Sequence, residues 1–335
     1  MADCYSIHGL VSVRSELDFG IPEYFRTDQI DDPDITVTVE SLSFDVPRHE
    51  KKQRDGYAVW KHEDALVIDY EVLNLKLLVA GLGDSIRIAC TERFAERRMN
   101  HVGVLAKLAL QLKLIEQDHC FVHAGCIAVD DSAVVIPALG STGKTYTTLS
   151  LVDGIDRFLL SDDLAIIGKN GSVYSYPSSA NTGPYVLENE DVPEFETNPR
   201  ISSRLADVPV ASLLYELFPW LYPSKRIDPP TEVIQDTATL GAVCLITHGT
   251  DDDAAPIPAS EAISRTLVQH FDTHGLFQNF ALNYYSYLFD YDLTARMEQM
   301  RSILSSAFSE ADCYELRSND LDTYPELIKG SVIPD

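Results

Sequence analysis

The chain has 335 residues, 45% of them apolar and 23% charged, enough for two domains or one large elaborated domain with an ample core. Its 52 acidic residues outnumber 26 basic ones, giving a formal net charge of −26. That balance excludes functions that need a broadly basic surface, namely nonspecific nucleic-acid binding and adhesion to anionic membranes, and it requires any site for a free nucleotide to supply its own local positive charge.

Residues 1 to about 95 read as a β-rich domain. Short alternating segments recur at Tyr5–Val13, Ile35–Phe44, Tyr57–Trp60, Ala65–Tyr70, Leu75–Val79 and Ser85–Ala89, separated by turn-formers such as DDPD (Asp31–Asp34) and GLGD (Gly81–Asp84). The run KKQR (Lys51–Arg54) reads as a solvated loop. The longest mainly apolar run, Leu73–Leu82, is broken by Asn74 and Lys76 and falls far short of the roughly 20 residues that span a bilayer. From Phe94 to Glu116 the spacing changes: Val102, Leu105, Leu108, Ala109 and Leu112 recur at three and four, which predicts a helix (residues 96–117) connecting the β-rich part to a nucleotide domain.

Residues 118–335 are expected to form the second domain. It opens on the strand-like DHCFVHAGCIAV, where His119, Cys120, His123 and Cys126 have the composition of a zinc set. In one strand, however, Cys120 and Cys126 face one way and His123 the other, so buried thiols beside a site-facing histidine are expected instead. The six cysteines are scattered without a C-x-x-C pair, and MADCYSIHGLVSV lacks a signal-peptide pattern. Reduced thiols in a cytoplasmic protein are therefore expected.

The next stretch, SAVVIPALGSTGKTYTTLSLVDGIDRFLLSDD (Ser132–Asp163), is an apolar run, a glycine-containing loop, a helix-like segment, a second apolar run and two acids. This is the layout of a P-loop nucleotide site, G-x-x-x-x-G-K-[ST], with Ala138 in place of the first glycine. Such a loop cradles phosphates on successive backbone N–H groups and a helix N-terminus. The stretch expected to contact the nucleotide is Ala138, Leu139, Gly140, Ser141, Thr142, Gly143, Lys144, Thr145 and Tyr146. Gly140 and Gly143 would allow close backbone approach, Lys144 would reach the β- and γ-phosphates, and the Thr145 hydroxyl would hold Mg²⁺. Asp162 or Asp163 would complete the metal shell or take a proton. Ala138 would cost about 1–2 kcal/mol if its φ had to be positive. The plainer alternative is a glycine turn beside one exposed lysine.

After the acids, Leu164–Ile167, Lys169-Asn170-Gly171 and Val173–Tyr176 predict a hairpin on the sheet edge. Residues 177–230 are rich in Pro, Asn, Ser and Glu, with one helix-like stretch at Ala211–Phe218, and read as an inserted acceptor-binding lid. Within it Lys225-Arg226 is a rare positive doublet, either a surface pair or a clamp for substrate phosphate. Gly241–Thr247 predicts a buried strand, Ser260–Ala307 two helical patterns whose many aromatics form core, and Cys313–Leu316 a last short strand.

ALGSTGKT followed by LLSDD resembles the HPr kinase/phosphorylase group and, less closely, phosphoenolpyruvate carboxykinases, as does Val122-His123-Ala124-Gly125 ahead of the loop. The likeness covers roughly Asp118–Pro177. It implies an α/β nucleotide-binding domain of that P-loop type behind a β-rich N-terminal domain, with His123, Lys144, Asp162 and Asp163 as catalytic positions and Thr145, Asp162 and Asp163 as the metal side. The order Gly140-Ser141 is reversed relative to that group, and its glycine-rich signature after the acids, with a metal-binding glutamate, is not visible. The activity implied is ATP- and Mg²⁺-dependent transfer of the γ-phosphoryl group to a hydroxyl of a protein serine or small molecule. A P-loop ATPase or a catalytically lapsed nucleotide-binding interaction protein are the alternatives. The partners expected are ATP, a hydroxyl-bearing acceptor and, in a homo-oligomer, further copies of the chain.

Overall fold

The computed structural model describes residues 2–44, 51–54, 56–140, 142–152, 157–178, 180–182, 197–198, 225–227 and 229–333. In chain order its elements are strands β1 (Asp3–Ile7), β2 (Val11–Ser15), β3 (Arg26–Thr27), β4 (Ile35–Val39), β5 (Lys52–Arg54), β6 (Tyr57–His62), β7 (Ala65–Tyr70), β8 (Leu75–Ala80) and β9 (Ile86–Cys90), then helix α1 (Glu92–Glu116). Next come β10 (His119–Val129), β11 (Ser132–Pro137), α2 (Lys144–Val152), β12 (Arg157–Ser161), β13 (Leu164–Gly168), β14 (Ser172–Tyr174), β15 (Ala180–Thr182), β16 (Thr197–Asn198) and β17 (Lys225–Ile227). The chain closes with β18 (Thr237–His248), β19 (Asp253–Pro256), α3 (Ala259–His274), α4 (Phe280–Phe289), α5 (Leu293–Ala307), β20 (Asp312–Ser318) and α6 (Thr323–Ser331). The protein is mixed α/β, built on two large sheets.

The chain divides into two units, residues 1–120 with 270–302 and residues 121–269 with 303–335. This differs from the expected division at residue 95 with a linking helix. The apolar stripe of α1 packs on β2, β4, β8 and β9, which makes the helix part of the first unit. Residues 270–302 return to that unit because α4 packs on β7.

The first unit is a nine-stranded sheet in the order β3-β1-β2-β4-β9-β8-β7-β6-β5. The predicted single strand Tyr5–Val13 is a hairpin: His8 and Gly9, with φ of 49° and 69°, reverse the chain between β1 and β2. The run Lys51–Arg54 is not a loop, since β5 pairs with β6 in the register Lys52↔Val59. Lys51 is ion-paired with Glu71 at 3.0 Å and lies over the Trp60 ring at 4.8 Å. The sheet carries a small core of Ala58, Trp60, Ala65, Val67, Leu78, Ala80 and Ala89, against which Leu42 and Phe44 pack.

In the second unit the strand order is β11-β10-β13-β14-β18-β20-β19, and β11 also pairs with β18, closing five strands into a ring. The pairs β11–β18 and β18–β20 are parallel. The hairpin β13–β14 is present, turning at Gly171 with φ of 81°, but it is not an edge. Its second strand pairs with β18 through Val173↔Ala238, a partner far away in sequence. Helices α2 and α6 cover a core of Ile127, Val134, Ile136, Ala138, Leu151, Leu159, Ile246, Leu316, Tyr324 and Ile328. A separate three-stranded sheet, β15-β17-β16, contains the backbone of Lys225 and Arg226. Their side chains, most of the expected lid 177–230 and the predicted helix Ala211–Phe218 lie outside the described residues. No helix among the described residues is long and apolar enough to cross a membrane.

Candidate functional site

Strand β11 ends at Pro137, the loop Ala138–Gly143 comes next, and α2 starts at Lys144, so the first-turn amides of the helix open beside the loop. Two hydrogen bonds shape the turn. The Thr142 hydroxyl donates to the Leu139 carbonyl at 2.7 Å, and the Gly143 carbonyl accepts from Thr147 N–H at 2.9 Å. Gly143 has φ of 93°, and a Cβ there would lie 2.5 Å from Leu321 Cδ2. Its glycine is required twice over, by backbone conformation and by space. Gly140 has no such need, since a Cβ would meet nothing within 4 Å and its φ is not positive. Ala138 is not in the positive-φ region either and is fully buried in the core, so the expected strain does not arise. Ser141 lies outside the described residues. Leu139 is exposed.

Strand β12 ends at Ser161 and β13 begins at Leu164, so Asp162 and Asp163 are the two-residue connection between them. This forces the two carboxylates into different surroundings. Asp162 is 4% exposed and accepts a hydrogen bond from Thr145 Oγ1 at 3.2 Å. Its other oxygen, Oδ1, is buried and has no hydrogen-bond partner among the described residues. Loss of solvent pushes the carboxyl up to about 6, opposed by Lys144, reinforced by Asp163 and opposed again by the Thr145 hydrogen bond.

The Asp163 side chain is 43% exposed. Its Oδ1 lies 3.2 Å from His123 Nε2 and 3.5 Å from Lys144 Nζ. Its backbone carbonyl accepts from Ala124 N–H at 3.1 Å, which holds the acid connection against β10. Lys144 is 8% exposed, unlike the exposed lysine of the plainer alternative. Burial pulls its ammonium down from the ordinary range, against the attraction of Asp163 and Asp162. The ion-pair distance to Asp163 leaves Nζ without a well-formed hydrogen bond among the described residues.

Gly125, two residues after His123, is a site determinant that the sequence pattern does not single out. A Cβ there would fall onto the Thr148 hydroxyl and lie 3.3 Å from Lys144 Cγ. Its bare backbone lets α2 and the lysine stem lie against β10. Tyr146, expected near the nucleotide, is 3% exposed and donates from its hydroxyl to Asp322 at 2.6 Å, tying α2 to the start of α6. Of the expected residues, His123 and Lys144 thus meet at Asp163 and Thr145 meets Asp162, the two sets being joined by chain adjacency at Lys144-Thr145 and Asp162-Asp163.

All six cysteines are free thiols and buried, and burial pushes Cys120 and Cys126 well above the ordinary thiol range. Among the described residues no group of three or more His, Cys, Asp or Glu side chains gathers in a metal-holding arrangement.

No protein-family model matches the chain. No curated protein matches it. Among solved structures, one match is the HPr(Ser) kinase/phosphatase from Coxiella burnetii, at 13% identity and a TM-score of 0.20, covering 45% of this chain and 95% of that one. A likeness at that level carries no argument about chemistry, which has to come from the residues themselves.

Proposed function

We propose that the loop Ala138–Gly143 with the start of α2 is a phosphate-binding P-loop, and that the protein transfers the γ-phosphoryl group of Mg-ATP to a hydroxyl, in the manner of HPr kinases. The observation that carries this reading is the convergence of a buried lysine, a helix-start threonine hydroxyl, a buried carboxylate and an exposed carboxylate paired with histidine beside a helix N-terminus. Phosphoryl transfer needs positioning, charge neutralisation and a proton acceptor more than it needs covalent help from the protein.

The residues fit the groups they would have to bind. Beyond its 3.5 Å approach to Asp163, Lys144 Nζ is buried without a well-formed hydrogen bond among the described residues, which suits a cation facing anionic oxygens. Thr145 and Asp162 offer the hydroxyl and carboxylate oxygens that a hard divalent cation prefers, and Asp162 Oδ1 is buried without a hydrogen-bond partner among the described residues. When bound, Mg²⁺ would neutralise phosphate charge and draw Asp162 to its ionised form. Asp163 is the proton acceptor in this reading. Its carboxylate takes the proton of the acceptor hydroxyl, the oxygen forms a bond to the γ-phosphorus, and the bond from that phosphorus to the β-phosphate oxygen breaks, releasing ADP. His123 Nε2 orients the carboxylate, and Lys144 holds phosphate oxygens in place.

ADP release by purified protein with Mg-ATP, in the presence and absence of serine-bearing peptides and small polyols, tests the reading. Release that depends on the hydroxyl compound, with phosphate recovered on it, supports transfer. Release independent of any acceptor indicates an ATPase, and tight binding without release indicates a lapsed module.

A further inference from the structure

The first unit contains a pocket of about 510 Å³ that plays no part in the proposed chemistry, lined by Lys52, Tyr57, Phe280, Asn283, Tyr284 and Tyr287. That volume is in the range of small-molecule sites. Tyr57 packs against Phe280 and Tyr284, with ring centroids 5.4 and 6.5 Å apart. Tyr287, by contrast, is 71% exposed, an unusual amount of bare aromatic surface one helical turn beyond Tyr284 and Asn283 on α4.

The polar group at the mouth decides the ligand class. Lys52 Nζ lies 4.5 Å from the centre of the Tyr287 ring. In a chain with 52 acidic residues, Lys52 has no carboxylate ion pair among the described residues, whereas its neighbour Lys51 is paired with Glu71. It therefore offers a positive charge without a carboxylate partner among the described residues, beside aromatic walls. A cationic guest would meet Lys52 as a like charge, a neutral guest would leave the ammonium unused, and an aliphatic anion would forgo stacking on the ring faces.

We propose that this pocket binds a small planar aromatic anion, its ring against Tyr57, Phe280, Tyr284 and Tyr287 and its carboxylate or equivalent oxyanion on Lys52. The inference is independent of the phosphotransfer reading, because every residue in it belongs to the first unit.

The test is calorimetric titration of the full chain with three probes of matched size: indole-3-acetate, its neutral alcohol indole-3-ethanol and the cation tryptamine. Lys52→Met and Tyr287→Ala are compared with wild type, their folding checked by circular dichroism and melting temperature. Indole-3-acetate is expected to bind best, and each substitution is expected to weaken it by about tenfold, the cost of one charge-assisted or stacking contact. Lys52→Met should also abolish the preference for the acid over the alcohol. Equal binding of acid and cation, undiminished binding in folded Tyr287→Ala, or no binding of indole-3-acetate at millimolar concentration would each overturn the proposal.

Discussion

Asp162→Asn keeps the shape of the side chain and an oxygen for the Thr145 hydroxyl while removing a buried charge. Burial raises the Asp162 carboxyl from 3.8 to about 6, so between those values the native state holds a proton that the unfolded chain gives up. Where the native state binds more protons than the unfolded state, stability falls as pH rises. The carboxyl therefore costs nothing extra below about pH 4, and its cost grows until pH has passed the folded value. Raised that far, it costs about 3 kcal/mol once ionised in both states. The asparagine also removes one of two carboxylates facing the buried Lys144, but that attraction is already contained in the raised value and Asp163 remains 3.5 Å away, so a net gain of about 2–3 kcal/mol is expected at pH 7.5. Urea unfolding from pH 4 to 8, without nucleotide and with EDTA, measures it. The two proteins should be nearly equally stable near pH 4, with wild type falling behind as pH rises toward 7. An asparagine variant less stable than wild type at pH 7.5, or one with the same slope between pH 4 and 6, would refute the reasoning.

Lys144→Met should lose the thermal stabilisation that Mg-ATP gives wild type, while the nucleotide-free protein melts no lower because a buried ammonium has been replaced by an apolar chain. Asp163→Asn should keep Mg-ATP affinity by calorimetry yet slow acceptor phosphorylation by about 10²–10⁴-fold, the range for a positioned base. Gly143→Ala should lower unfolding free energy by about 1–3 kcal/mol, through strain at φ of 93° and collision with Leu321. Gly140→Ala should leave it within about 0.5 kcal/mol, because open space faces that position. Matched denaturation curves separate the two glycines.

Local pattern carries much of this architecture. The segment Ala65–Tyr70 and the helix predicted over 96–117 are marked by periodicity alone; the observed strand has those same bounds, and the observed helix, Glu92–Glu116, begins four residues earlier and ends one earlier. What periodicity cannot encode is the partner. The hairpin β13–β14 is visible in its turn residues, but its place inside the sheet depends on pairing with β18, which no local window contains. The return of residues 270–302 to the first unit is likewise a matter of long-range packing. In the site, residue types and spacing mark Lys144, Thr145 and the acid pair, whereas burial cannot be read from them. Residue type alone leaves open how far the lysine is covered, and Lys144 is buried because Gly125 lets its stem lie against β10. The glycines in the loop look equivalent in sequence and differ in fact, because the need for glycine comes from φ and from Leu321.

The two acids show how far one peptide unit can separate identical side chains. As the whole connection between β12 and β13, Asp162 and Asp163 cannot both turn inward, and the backbone bond from Ala124 to the Asp163 carbonyl fixes the turn. By pKa alone, Asp162 would be the stronger base, since its carboxyl is raised to about 6. Access points the other way. An acceptor hydroxyl has to come within about 3 Å of its base, and Asp162 is 4% exposed with one oxygen already engaged by Thr145. Asp163 keeps 43% of its side chain open and has His123 at 3.2 Å to hold its carboxylate in place. Geometry must be satisfied before basicity can matter, so under the proposed transfer the buried acid would serve a cation and the open one would take the proton.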